Sequence, residues 1–224
     1  MPDYYADKLS AERLKRCYEV APPAARAYLE GEIEFVLTKI DPSQSVLELG
    51  CGYGRVLARL APRARYAWGI DTSLTSLRMA RAYAGHGPGY RWALMRAERM
   101  AFRPRVFDTV LCVQNGISAF HVDQATLLRE ALRVTRSGGR VLFSSYTESF
   151  WPDRLEWFEA QAAHGLIGEI DYQATRDGVI VCRDGFRATT VGAADFAGLA
   201  AEVGIVPRIV EVAGSSLFCE LVIP

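Results

Sequence analysis

The segment VLELGCGYGRVLARL, Val46 to Leu60, places three glycines at alternate positions between an apolar run and a helix-like pattern. Residues 45–50 (SVLELG) read as a buried strand, and RVLARLA after Gly54 as the helix that follows it. Gly50, Gly52 and Gly54 give the intervening loop backbone freedom and remove the Cβ atoms that would keep a ligand away from the main chain. In an open parallel sheet such a loop, at the carboxyl end of the first strand, is the default nucleotide site.

Outward from this segment the chain alternates in the same way. YAWGID (66–71) reads as a second strand, followed by the helix TSLTSLRMARAYA with Thr72 or Ser73 as its N-cap. YRWALMR (90–96) is a third strand and FDTVLCV (107–113) a fourth. Asp123 caps the helix QATLLREALRVT, Ser137-Gly138-Gly139 stops it, and RVLFSSY (140–146) is a fifth strand. Short connections between alternating strands and helices imply right-handed crossovers and a doubly wound α/β sheet. FAGLAAEVGI supplies a last helix, and RIVEV with SSLFCELVI a closing antiparallel pair turned at Ala213-Gly214, which gives seven mostly parallel strands. Two regions break the rhythm. Residues 1–40 read as two helices about Ala21-Pro22-Pro23, an N-terminal helical cap. Residues 166–191 hold three β-rich runs separated by Arg176-Asp177-Gly178 and Arg183-Asp184-Gly185, read as a β-hairpin insertion on one edge of a single domain spanning 1–224. Both additions are expected over the carboxyl edge of the sheet.

The loop spacing, G-x-G-x-G, differs from the dinucleotide fingerprint G-x-G-x-x-G, and Arg55 occupies the place of that fingerprint's third glycine. Glu48, two residues before Gly50, would repel a pyrophosphate but suits a ligand bearing a cation. Asp71, ending the second strand, is placed to accept hydrogen bonds from a ribose diol. A nucleoside with a cationic tail and no phosphates satisfies both, and S-adenosylmethionine is such a molecule.

These residues resemble the class I S-adenosylmethionine-dependent methyltransferases, a Rossmann-like family. VLELGCGYGR matches the family's first motif, E/D-x-G-x-G-x-G, at Glu48, Gly50, Gly52 and Gly54, and GID matches its ribose-binding acid at Asp71. FDTVLCVQNGIS and RVTRSGGRVLF match the fourth-strand motif and the helix and strand after it, so that the likeness covers about residues 44–146. One position departs: Arg96 stands where the family often has an aspartate near adenine, leaving the backbone at Ala97 and Glu98, or the Glu98 side chain, to replace it. The resemblance implies S-adenosylmethionine as cofactor and a cofactor set of Glu48, Gly50, Cys51, Gly52, Gly54, Asp71, Thr72, Ala97, Glu98, Gln114 and Asn115.

Gln114-Asn115-Gly116 ends the fourth strand, where the methyl group would be presented. His121 lies five residues beyond Gly116, a candidate general base or simply a neighbour of the Asp123 cap. Tyr4, Tyr5, Tyr146 and Trp151 are candidate walls of a substrate pocket, Tyr53 is a loop aromatic that lies along the ligand or on the surface, and Tyr28 is expected to pack the leading helices. The motif N-P-P-Y of methyltransferases acting on planar amino groups is absent.

Composition narrows the function classes. The 224 residues carry 26 basic and 26 acidic side chains, so no net field draws the chain to nucleic acid or an anionic membrane. No stretch approaches the roughly 20 apolar residues of a membrane span. Five cysteines, odd in number and never spaced C-x-x-C, argue against a disulfide framework or zinc site and for a reducing cytoplasm. Three scattered histidines suggest no metal cluster. The expectation is methyl transfer to an O, N or S atom of a small molecule. Competing readings are a noncatalytic S-adenosylmethionine-binding or regulatory protein and a nicotinamide-dependent oxidoreductase.

Overall fold

The structure, a computed structural model, describes residues 4, 8–85, 87 and 89–224. Helices α1 (Glu12–Glu19) and α2 (Pro23–Leu37) lead, with Pro23 in the first turn of α2, where a missing N–H costs nothing. The Rossmann-like part then runs β1 (Ser45–Leu49), α3 (Arg55–Leu60), β2 (Tyr66–Asp71), α4 (Leu74–Ala84), β3 (Tyr90–Leu94), β4 (Phe107–Cys112), α5 (Gly116–Ala119), α6 (Gln124–Val134) and β5 (Thr135–Tyr146). After it come α7 (Trp151–Ala163), the short pair β6 (Ile180–Val181) and β7 (Arg187–Ala188), α8 (Ala193–Glu202), β8 (Arg208–Val212) and β9 (Ser216–Val222).

Seven strands form one sheet in the order β3-β2-β1-β4-β5-β9-β8, parallel from β3 to β5 and antiparallel at β5–β9 and β8–β9. Sheet order reverses at β1, whose neighbours are β2 and β4, so a crevice opens there at the strands' carboxyl ends. Side chains alternate across the sheet. Leu47, Leu49, Val110, Cys112, Val141 and Phe143 pack on the face that buries α6 and α8, and Val46, Leu111 and Leu142 on the face beneath α2 and α3. Glu48 therefore projects to the α2–α3 side, into a layer made mostly of aliphatic residues. A third apolar cluster joins α1, α2 and α7 to residues 166–188 through Cys17, Tyr28, Trp157, Phe158, Ile180 and Phe186.

Several local expectations change. The third strand stops at Leu94 rather than Arg96. Ser137-Gly138-Gly139 does not stop α6: the helix ends at Val134, Thr135 already pairs with Phe107, and residues 136–139 loop out before Arg140 pairs with Thr109. Gly139 makes that detour feasible, because a Cβ there would lie 2.8 Å from the carbonyl oxygens of Arg136 and Asp108. The insertion forms its own two-stranded sheet, not an extension of the main one, and its first run contributes only the bridge Ile170–Cys182. Helices α5 and α7 are additional to those read from the sequence. Among the described residues no helix is long and apolar enough to cross a membrane.

Candidate functional site

The glycine loop leaves β1 with Gly50, Gly52 and Gly54 at φ of 69°, 52° and 84°, the left-handed region in which a Cβ is strained. The three glycines also answer to three different neighbours. A Cβ on Gly50 would strike the Phe120 ring; one on Gly52 would lie 2.9 Å from Leu14 Cδ2, and one on Gly54 2.9 Å from the Trp92 ring. The Gly52 amide donates to Asp71 Oδ2 at 2.9 Å, and the Ser73 amide donates to Asp71 Oδ1 at 2.8 Å. Asp71 thus clamps the loop to the start of α4, where Ser73 is the N-cap and accepts from the Ser76 amide.

A cavity opens over this loop. Its floor is Glu48, Gly50, Cys51, Gly52 and Asp71; its sides include Thr72, Arg96, Ala97 and Glu98 beyond β2 and β3, and Gln114 and Gly116 beyond β4. Glu98 is ion-paired with Arg96, so the arginine that replaces the expected aspartate holds the nearby carboxylate in place. Glu48 is 4% exposed and its Oε2 has no hydrogen-bond partner. Burial pushes its carboxyl up to about 8, the Arg55 charge pulls it back, and Asp71 adds to the rise. Two further polar atoms of lining residues are buried without partners, Arg55 Nε and Gln114 Nε2. Arg55 otherwise pairs with Glu30 at 3.1 Å and lies 5.0 Å over the Tyr18 ring. A carboxylate, a guanidinium edge and an amide left unsatisfied around one cavity match a ligand with an ammonium, a carboxylate and hydrogen-bonding groups. The methionine part of S-adenosylmethionine has that donor and acceptor set, so the residues fit this cofactor.

Gln114 and Asn115 sit at φ of 58° and 59°, consecutive left-handed residues without glycine. The Gln114 amide is held by Glu32 Oε2 at 2.7 Å and Ser144 Oγ at 2.9 Å, and Glu32 also accepts from Ser216 Oγ at 2.5 Å. Such backbone strain persists where surrounding bonds over-determine it. Glu32, fully buried on α2 and 82 positions from Gln114, has no sequence signal that would mark it as this support. Burial raises its carboxyl pKa, against hydrogen bonds from Ser216, Ser144 and Gln114 that lower it.

The other sequence candidates divide. Gly54 is not part of the lining and serves packing of α3 on α4. Asn115 also faces away: its amide donates to the Thr189 carbonyl at 2.8 Å and accepts from Ser145 Oγ at 2.9 Å, tying the insertion to β5. His121 is exposed and outside the lining, because the chain turns at φ 51° after α5 and carries it out of the crevice. Asp123 caps α6 beside it, accepting from the Thr126 amide at 2.8 Å. Tyr146 lines the cavity. Trp151 does not; it packs at the start of α7 near Arg154. Tyr4 is also outside the lining, donating to Asp184 Oδ2 at 2.5 Å and packing edge-on against Phe186, while Tyr5 lies outside the described residues. Tyr53 lines the cavity, tilted against the Tyr18 ring and edge-on to that of Tyr83. Tyr28 packs between Tyr146 and Phe150. Tyr18, which could close over the substrate or pack the leading helices, lines the cavity, and Leu14, Phe120, Trp157, Phe158, Gln161 and Phe186, missed from the sequence, enclose it from α1, α5, α7 and the insertion. Among the described residues no group of three or more His, Cys, Asp or Glu is placed to hold a metal.

Comparison with known proteins agrees with this geometry. Residues 46–139 match the family model described as a methyltransferase domain. A ubiquinone biosynthesis O-methyltransferase of Nitrosomonas europaea is 32% identical over 106 residues, 46% of this chain and 43% of the relative, so the matched stretch spans less than half that protein's length. Two solved structures share the fold across nearly the whole chain. A protein of Pyrococcus horikoshii has a TM-score of 0.68 at 19% identity, covering 100% of both chains. Magnesium protoporphyrin IX methyltransferase of Synechocystis, solved with its product S-adenosylhomocysteine (SAH), has 0.66 at 15%, covering 99% of this chain and 97% of that one. Over its matched core, residues 46–139, the chain is similar to the methyltransferase domain family, and it shares its fold with S-adenosylmethionine-dependent methyltransferases.

Proposed function

We propose that this chain transfers the methyl group of S-adenosylmethionine to an O, N or S atom of a small molecule, as a single unit in which residues 1–40 cap the site and 166–191 form an insertion. The observation that carries the reading is Glu48: a buried carboxylate with an unsatisfied oxygen, beside three left-handed glycines and across from Asp71. When bound, the cofactor supplies an electrophilic methyl group on a sulfonium. Glu48 offers its carboxylate to the ligand's ammonium, Arg55 its Nε–H to the carboxylate, and Asp71 its carboxylate to the ribose. The glycine loop admits the nucleoside against its backbone. Ala97 and Glu98 border the adenine side, and Gln114 stands at the end of β4 where the methyl group would emerge. Methyl transfer of this kind is an in-line displacement, and holding two reactants in line accounts for about 7–11 kcal/mol of barrier in favourable cases. The enclosing side chains do that work by fixing both molecules and excluding water. We assign His121 no part as a base. A cytoplasmic setting belongs to the same proposal, in keeping with five buried, unpaired cysteines.

Thermal unfolding with added ligand tests it. S-adenosylmethionine and SAH should raise the melting temperature, as ligands of the native state do, while NAD and NADP should not. A shift with NAD alone overturns the assignment. A screen of hydroxyl, amine and thiol acceptors for SAH release then identifies the reaction.

A further inference from the structure

We propose that the acceptor is an uncharged aromatic molecule, held among the rings of α1, β5, α7 and the insertion and oriented by the side-chain amide of Gln161. The inference rests on the cofactor reading above. The charged side chains lining the cavity, Glu48, Arg55, Asp71, Arg96 and Glu98, all belong to β1, β2 or the segments that follow β1, β2 and β3. They serve the cofactor half. The walls contributed by α1, β5, α7 and the insertion present Tyr18, Tyr146, Trp157, Phe158, Phe186 and Gln161, with Cys17, and among the described residues none of those walls brings a charged side chain.

The rings form a connected series, with centroids 6.2 Å apart for Tyr18–Trp157, 5.9 Å for Trp157–Phe158 and 5.7 Å for Phe158–Phe186. A planar ring gains from offset or edge contacts in such a lining, whereas a charged acceptor would lose its hydration with no charged side chain of these walls exposed in the cavity to meet it. The lining does not act as a cage for an ammonium ion either. The Arg154 guanidinium already lies 4.3 Å from the Tyr146 ring centroid and 5.5 Å from that of Phe158, so a second cation on those rings would meet it.

Gln161 follows Trp157 and Phe158 by one helical turn, on the same face of α7. It is 3% exposed and lines the cavity, and its side-chain amide has no hydrogen bond among the described residues. An amide that faces an aromatic pocket is a point of recognition for a ligand hydroxyl, amine or carbonyl. Apolar rings supply affinity without direction; a single amide supplies direction.

Binding to the full chain saturated with SAH tests the proposal, using 2-naphthol, 2-naphthoate, 2-naphthylmethylammonium and 2-methylnaphthalene as probes of one shape. The neutral naphthol should bind at least tenfold tighter than either ion and several-fold tighter than 2-methylnaphthalene. Gln161→Leu should erase the preference for naphthol over 2-methylnaphthalene while SAH affinity stays within twofold. A merely structural role for Gln161 would shift all probes together and would overturn its assignment. An ion binding as tightly as naphthol overturns the acceptor class, a result read on the unaltered protein without any variant. SAH binding, measured first, stands apart: its absence overturns the cofactor reading, whereas intact SAH binding with a reversed probe order overturns only the present inference.

Discussion

Lowering the pH from 8 to 6 should weaken SAH binding by about 50-fold, because in the proposed mode Glu48 must ionise to meet the ligand's ammonium. The carboxyl, ordinarily near 4.5, is pushed up to about 8, chiefly by burial. At pH 7 it is protonated in about nine molecules of ten, and each pH unit below that raises the cost of ionising it by about 1 kcal/mol. A ligand that pairs with the carboxylate bears that cost, so affinity falls by a factor that approaches tenfold per pH unit below 8, and at pH 7 binding releases close to one proton. Calorimetric titration at pH 6, 7 and 8, in buffers of differing ionisation enthalpy, reads both quantities. Glu48→Gln should bind more weakly at pH 8, show no proton release and lose the pH dependence. Affinity independent of pH in the unaltered protein, with no proton released, would refute the reasoning. The sign for stability follows from the same shift. The folded state keeps this proton at pH values where the unfolded chain has lost it, so stability declines as pH rises from about 4.5 to about 8 and levels off above. The decline is on the order of 3–5 kcal/mol, and Glu48→Gln should remove it.

Asp71→Ala removes the acceptor for the Gly52 and Ser73 amides as well as the proposed ribose contact, so SAH affinity should fall about 10- to 150-fold, the span of a hydrogen bond to a charged group. Unchanged affinity in a folded variant would take Asp71 out of the site. Asn115→Ala should lower stability by about 1–3 kcal/mol in urea unfolding, since the Ser145 hydroxyl and Thr189 carbonyl lose a buried partner, and should leave SAH affinity nearly as it was. The opposite pattern, stable but unable to bind, would make Asn115 a ligand contact. His121→Asn, which tolerates the left-handed backbone there, should keep turnover within about threefold; a loss of about 100-fold would restore the histidine as a base.

The glycine loop was legible because its signal is local. Three alternating glycines, the acid before them and the acid closing the next strand lie within 24 consecutive positions, Glu48 to Asp71, and each is dictated by backbone geometry or by strand ends. Strand and helix rhythm is equally local, and it leads directly to the parallel order around β1. Where local rules failed, a longer contact had intervened. Ser137-Gly138-Gly139 looks like a helix stop, yet Thr135 pairs with Phe107 before the glycines are reached. Trp151 to Ala163 has a mixed pattern that becomes a helix because Trp157 and Phe158 bury against α1 and the insertion.

Amino-acid order by itself determined the sheet, the crevice and the cofactor's chemistry, since those follow from periodicity and from residue types a few positions apart. Only the tertiary structure decided the rest. Glu32 acts on Gln114 from 82 positions away, Asn115 turns toward Thr189 instead of the cavity, and His121 leaves the crevice on a left-handed turn. Gln161 and Phe186 reach the cavity from elements after the fifth strand. The physical reason is common to all of these. Which way a side chain points, and whether a carboxyl keeps its proton, depends on what is packed around it, and packing is a property of the folded chain, not of any segment of it.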